Sequence, residues 1–356
     1  MPLVAECEGR GPGGRLFVFL DGLEFIAGIE AYAESLEPLL EFGSYRYYKN
    51  RLDESHLLLE RVRDAHAVFL DWSNLDAEVL AKCDNLEIVS YIGVGAANFV
   101  DIEAATRRGI VVTNTPDYGN RSVAEHALAL ALAVAGHVAR GDRDLRRGRW
   151  TSASLEGVQL AGRSAGLVGL GAVGSEMARL CHAFGMRVFY HDPRRRPEME
   201  DIATWMELEE LLSSCDIVSL HVALTPETRG LIGEREISLL RPGAILVNTS
   251  RGEVLDLSAL ADALREGRLW GAGLDNYPGE PRPDLSELLD LDNVVLTPHI
   301  AFNTREAKDR MTAIAVDNVT AFYRGEPCNV MNPDALDIRR GRGDGYGGRA
   351  SPGGGR

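Results

Sequence analysis

Gly169-Leu-Gly171-Ala-Val-Gly174 constrains this chain more than any other stretch. It follows the apolar run 165–170 and opens a segment of helical pattern. The next strand-like run, 187–191, ends at Asp192, 18 residues beyond the last glycine. Each part has a physical task. The first glycine permits a tight turn, the second lets a pyrophosphate approach the backbone, and the third lets helix pack on strand. The helix start then presents N–H groups to phosphate, and an acid on the second strand accepts hydrogen bonds from the adenosine ribose. A lone G-x-G-x-x-G says little, but strand, glycines, helix, strand and acid together predict a dinucleotide site.

The rest of the chain repeats the strand–helix alternation that a parallel sheet requires. Residues 16–20, 67–70, 88–92 and 110–113 read as strands of a first unit, separated by helical stretches such as 57–64 and 76–82. Six further strands, at 165–170, 187–191, 217–221, 244–248, 271–275 and 294–297, form a second. Between them, Ser122-Val-Ala-Glu125 reads as a capping box ahead of an Ala/Leu-rich helix running to about Arg140. That helix is apolar nearly all round, as suits one lying between domains or subunits. A last helix, 305–323, stops at Gly325. The final 20 residues hold eight Gly and five Arg, with too little apolar surface to order themselves.

Composition excludes several classes. At 356 residues the chain is long enough for two domains. A formal charge of −15 argues against broad nucleic-acid binding and against anionic membrane surfaces. No run reaches the roughly 18 apolar residues of a spanning helix, and the first residues do not form a secretory signal. The five cysteines are scattered and lack a C-x-x-C pair, so neither a metal nor a disulfide framework is expected, and the chain is expected in the cytoplasm.

Several polar residues fall just past strand ends of the second unit: Asn248-Thr249-Ser250-Arg251, Asp275 with Glu280 five residues on, and His299. In an open parallel sheet all such ends share one edge, where ligands bind. A cation for a carboxylate, an acid and an imidazole beside a dinucleotide point to hydride transfer with proton transfer by histidine. In the first unit Gly93-Val94-Gly95 also follows a strand, but with no third glycine and no acid one strand later it reads on its own as an ordinary turn.

The sequence resembles the D-isomer-specific 2-hydroxyacid dehydrogenases over about residues 60–332. The resemblance lies in Ala161-Gly-Arg-Ser-Ala-Gly-Leu-Val-Gly-Leu-Gly171, Cys215-Asp-Ile-Val-Ser-Leu-His221, Leu240-Arg-Pro-Gly-Ala-Ile-Leu-Val-Asn-Thr-Ser-Arg251-Gly, Gly279-Glu280-Pro281 and Thr297-Pro298-His299-Ile300-Ala301. It implies an α/β fold of two doubly wound parallel-sheet domains, Rossmann-like and flavodoxin-like. The substrate domain would be discontinuous, 15–118 plus 304–332, after a leader of 1–14. The NAD-binding domain would be 119–303, with a disordered tail at 333–356. Two chain crossings would make a hinge.

The resemblance also implies roles. Arg251 would bind the carboxylate of a small 2-oxo or 2-hydroxy acid and polarise its keto oxygen. His299 would carry the proton, and Glu280 would hold His299 and favour its charged form. For NAD, Gly169, Gly171, Ala172, Val173 and Gly174 would meet the pyrophosphate and Asp192 the ribose. Thr249, Ser250, Arg251 and Asp275 would surround the nicotinamide. Val94 and Gly95 would join Arg251 and His299 at the substrate, and the chain would form a homodimer. Two other readings share the scaffold: a corepressor-like dinucleotide sensor and a formate-dehydrogenase-like enzyme. The substrate loop departs from the family pattern, with Ala97 in place of an Asp and one residue more. Tyr91 stands where phosphoglycerate dehydrogenases carry an Arg, so an unphosphorylated substrate is expected, with Tyr91 lining its distal pocket.

Overall fold

The computed structural model describes residues 7–21, 33–48, 55–150, 152–280 and 282–342. The chain divides into two compact units, one holding the residues up to Tyr118 and from Arg305 onward, the other Gly119–Thr304. Both are parallel α/β sheets with helices between the strands.

In the first unit the strands are β1 (Cys7–Gly9), β2 (Arg15–Phe19), β3 (Gly43–Tyr47), β4 (Ala67–Leu70), β5 (Ile88–Tyr91) and β6 (Val111–Thr113). Their order is β1-β3-β2-β4-β5-β6. The strands from β3 to β6 are parallel and follow the flavodoxin-like 2-1-3-4-5 order. Two strands depart from the sequence reading. Residues 7–9 fall in the expected leader yet pair antiparallel with β3. β3 itself, Gly-Ser-Tyr-Arg-Tyr, has no β-branched residue. It is a strand because Tyr45 and Tyr47 alternate inward against Phe19, with ring centroids 6.2 and 6.3 Å away.

The expected tail also needs correction. Asp334–Arg342 is a helix. Its Arg339 is buried, donating to Glu87 Oε1 at 2.8 Å and lying 5.3 Å over the Phe322 ring, while Arg342 donates to the Arg108 carbonyl at 2.9 Å. Composition missed this because Arg339 and Arg342 hold much of the helix through their guanidinium groups, beside the one buried alanine, Ala335. The remainder of the tail, 343–356, lies outside the described residues.

In the second unit β7 (Ser164–Val168), β8 (Arg187–His191), β9 (Ala203–Trp205), β10 (Ile217–Leu220), β11 (Ile245–Asn248), β12 (Gly271–Leu274) and β13 (Val294–Leu296) run parallel in the order β13-β12-β11-β10-β7-β8-β9. This is the dinucleotide-binding order with a seventh strand added, and its direction reverses between β7 and β10. The short β9 was not expected.

The Ala/Leu-rich helix spans Asn120–Ala135, packs through Ala124, Ala127, Leu128, Leu130, Ala131 and Val134, and leaves Glu125, Ala129 and Leu132 exposed. Ser122 is not its N-cap: it lies inside the helix, its Oγ 2.7 Å from Thr304 Oγ1, while Glu125 pairs with Arg121. Nor does the helix run on to Arg140. It stops at Gly136, His137 takes a left-handed φ of 53°, and a second helix, Val138–Arg146, leaves at 62°. Among the described residues no single helix is long and apolar enough to cross a membrane.

Candidate active site

Sheet register decides what can meet in the second unit. His191 pairs with Val168, Val168 with Leu220, Leu220 with Asn248, Asn248 with Leu274 and Leu274 with Leu296. These six residues form one row across the sheet. The segments after them, beginning at Gly169, Asp192, His221, Thr249, Asp275 and Thr297, therefore emerge along one edge.

The glycine turn sits on that edge at the point of reversal. Gly169 has a φ of 95°, which favours glycine, and a Cβ on Gly174 would stand 2.2 Å from the Gly169 carbonyl oxygen. Around Gly171 nothing lies within 4 Å of where a Cβ would be, so its backbone is open to a ligand. Ala172 and Val173 begin the following helix, Ala172–Ala183. Asp192 Oδ2 accepts the Leu170 N–H and Oδ1 the Arg194 N–H, both at 2.9 Å, which fixes the acid beside the turn. The Arg195 guanidinium lies 4.4 Å over the Trp205 ring. Three buried polar atoms on the same edge have no partner: His221 Nδ1, Thr249 Oγ1 and Asn276 Oδ1. Burial pushes His221 down to about 4, so its imidazole is neutral at pH 7. An open glycine cradle, a pinned acid and a row of unsatisfied buried polar atoms fit a dinucleotide.

Arg251 is placed by Asn248, whose role sequence reasoning missed. The fully buried Asn248 side chain accepts the Ser250 N–H and Oγ–H and donates to the Arg251 carbonyl, folding residues 248–251 into a tight turn. An Asn ending a strand before Thr-Ser is the local signal for such a turn. The Arg251 guanidinium donates to the Ser250 carbonyl at 2.7 Å. Gly252 brings this turn against the next segment, since a Cβ there would stand 2.0 Å from the Tyr277 carbonyl carbon.

His299 and Glu280 come from different loops and meet, Nδ1 to Oε2 at 2.5 Å. Glu280 Oε1 also accepts the Tyr277 N–H at 2.7 Å, so the carboxylate is fixed on both sides. Its neighbour Pro281 lies outside the described residues. His299 has a φ of 53°, a conformation that costs a non-glycine residue of order 1–3 kcal/mol and survives only where surroundings enforce it. Here Asp275 enforces it. Fully buried, it accepts Thr297 Oγ1–H at 2.5 Å and the N–H groups of Ile300 and Ala301 at 2.9 and 2.8 Å. Its own carbonyl takes the His299 N–H at 2.9 Å. The Tyr277 hydroxyl lies 2.9 Å from both the Leu274 and Thr297 carbonyls, and burial pushes its phenol up. Phe302 meets the His299 ring edge-on at 5.9 Å.

In the first unit, Val94 and Gly95 follow β5 at the C-terminal edge of their own sheet. Thr115 donates its N–H to the Gly93 carbonyl at 2.8 Å, and Asn114 Nδ2 donates to the Val94 carbonyl at 3.0 Å. Val94 is exposed. Tyr91 is buried, its ring stacked on Phe99 at 5.3 Å and packed close to Gly93 at the head of this loop.

Fold and site in the second unit define a dinucleotide-binding sheet carrying an acid–base pair at its switch-point edge. The model of the D-isomer specific 2-hydroxyacid dehydrogenase NAD binding domain matches residues 128–301. A glyoxylate reductase of Korarchaeum cryptofilum is 43% identical over 291 residues, covering 80% of this chain and 87% of that protein. Among solved structures, the TT0316 protein of Thermus thermophilus is 37% identical (TM-score 0.78, 89% of this chain and 100% of that one). A D-lactate dehydrogenase of Aquifex aeolicus, solved with NAD and lactic acid, is 28% identical (TM-score 0.75, 90% and 99%). The chain belongs to the D-isomer-specific 2-hydroxyacid dehydrogenase family, and with it to the NAD-dependent oxidoreductases of 2-hydroxy and 2-oxo acids.

Proposed function

We propose that this enzyme reduces a small, unphosphorylated 2-oxo acid with NADH, with His299 as proton donor. The observation that carries the reading is the His299–Glu280 pair, held in a left-handed turn at the edge that bears the glycine cradle. With Nδ1 on the Glu280 carboxylate, Nε2 is the nitrogen assigned to the substrate oxygen. Arg251, anchored through the Asn248 turn, binds the carboxylate and polarises the carbonyl. Val94 and Gly95 are assigned to substrate binding on the family resemblance of their loop. NAD, when bound, supplies or accepts the hydride. Gly169, Gly171, Ala172, Val173 and Gly174 take its pyrophosphate and Asp192 its ribose, while Thr249, Ser250 and Asp275 flank the nicotinamide.

The relative named glyoxylate reductase directs the choice of substrate. A panel of glyoxylate, hydroxypyruvate, pyruvate, phenylpyruvate, 2-oxoglutarate and phosphohydroxypyruvate, followed by NADH oxidation, tests it. The expected result is a kcat/KM for glyoxylate or hydroxypyruvate at least about tenfold above that for phosphohydroxypyruvate, about 1.4 kcal/mol in transition-state binding. A preference for the phosphorylated acid would refute the substrate assignment, and a flat, feeble response to the whole panel would favour a dinucleotide sensor.

Asp192 sets coenzyme choice by repelling a 2′-phosphate. We expect kcat/KM with NADH to exceed that with NADPH by about tenfold or more, or about 1.4 kcal/mol. Asp192→Ala narrows the ratio, because Arg194 and Arg195 remain to pair with phosphate. Equal use of NADPH by the unaltered enzyme would overturn the assignment.

For assembly we propose a homodimer built on the second unit, since Val138, Leu145 and Trp150 are all exposed there within thirteen residues of one another. Buried thiols at Cys83, Cys181 and Cys215 fit a reducing cytoplasm.

A further inference from the structure

The segment that carries His299 is held from outside as well as by Asp275. Ser122 and His126 lie one turn apart on one face of the Asn120–Ala135 helix. Ser122 Oγ lies 2.7 Å from Thr304 Oγ1, and His126 Nε2 lies 3.0 Å from Thr297 Oγ1. The two contacts clip the two ends of residues 297–304. Thr297 has one hydroxyl hydrogen, and the carboxylate of Asp275 is its strongest acceptor, at 2.5 Å. His126 must therefore be the donor, which fixes its Nε2–H tautomer. His126 Nε2 also stands 3.6 Å from Asp275 Oδ1. The result is one continuous chain: His126 donates to Thr297, Thr297 to Asp275, and the other lone pairs of Asp275 take the Ile300 and Ala301 N–H groups that follow His299. Bonds linked in this way polarise one another.

We propose that His126 is a positioning residue for the reaction: through Thr297 and Asp275 it holds the left-handed turn that aims His299. No part of the chain requires His126 to touch substrate or coenzyme. The inference rests on His299 being the proton carrier.

Three variants test it. His126→Leu removes the donor; His126→Gln places an amide N–H near the position of Nε2. With the preferred 2-oxo acid, His126→Leu should lower kcat by roughly 10- to 100-fold, the scale of a misaimed reacting group. The dissociation constant for NADH, read by fluorescence, should stay within about twofold of wild type, since an unmoved coenzyme site binds with unchanged affinity. His126→Gln should recover most of the lost kcat. In a His299→Ala background, His126→Leu should add no further loss, because a residue acting through His299 has nothing left to aim. Three results would overturn the proposal: His126→Leu turning over like wild type, Gln and Leu being equally impaired, or the two losses multiplying in the double variant. Failure of the underlying reading looks different, since His299→Ala alone would then remain active.

Discussion

His299→Ala should lose about 10²- to 10⁴-fold in kcat, the range that a positioned proton donor contributes, while NADH binding persists. Binding persists because the glycine turn, Asp192, and the segments carrying Thr249 and Asn276 hold their places through bonds that do not involve the His299 side chain. Glu280→Gln should fall between wild type and this variant. The amide can still accept from Nδ1–H, but it removes the negative charge beside the ring. Pre-steady-state NADH binding by fluorescence, set beside steady-state turnover, separates the two effects. Turnover of His299→Ala within a factor of a few of wild type would remove His299 from the mechanism.

The second large effect is on stability. Ending the chain at Pro333 removes Arg339 from Glu87 and, among the described residues, leaves that carboxylate with Arg15, 3.5 Å away, as its ion-pair partner. Both groups of the lost pair are largely shielded, with side-chain exposures of 8% and 24%. The cost should be about 3 kcal/mol, the low end of what breaking a buried pair costs. The first unit should then melt roughly 6–12 °C lower, at about 2–4 °C per kcal/mol. Ending the chain at Arg342 instead keeps every one of these contacts, and its melting temperature should match wild type. Calorimetry on the two truncations decides it; equal melting temperatures would mean that the helix Asp334–Arg342 contributes nothing.

What could be read from the sequence follows from what each residue must do locally. The glycine turn was legible because its requirements are backbone requirements: a positive φ at Gly169 and a contact at Gly174 too close for any side chain. The parallel strands were legible because burial on both faces demands continuous apolar runs. β3 was not, since its inward residues are tyrosines separated by polar ones, and nothing local distinguishes that from a loop. The helix Asp334–Arg342 was missed for a related reason: its partner, Glu87, lies some 250 positions away in the chain.

The sequence by itself determined the chemistry on offer. It placed a dinucleotide cradle, a cation, an acid and an imidazole just past strand ends, and a parallel sheet brings strand ends to one edge. It also gave the family, through long motifs in order. Only the tertiary structure decided how those groups are aimed. Ser122 looked like a helix cap, yet it reaches Thr304, because the helix begins three residues earlier than its polar signal implied. Tyr91, expected at a pocket, finds its stacking partner in Phe99. Asp275 was read only toward the coenzyme, and its oxygens also hold the turn that carries His299. The physical reason is common to all three. A side chain's identity fixes which bonds it can make, but which partner it finds among donors and acceptors far off in the chain is set by packing.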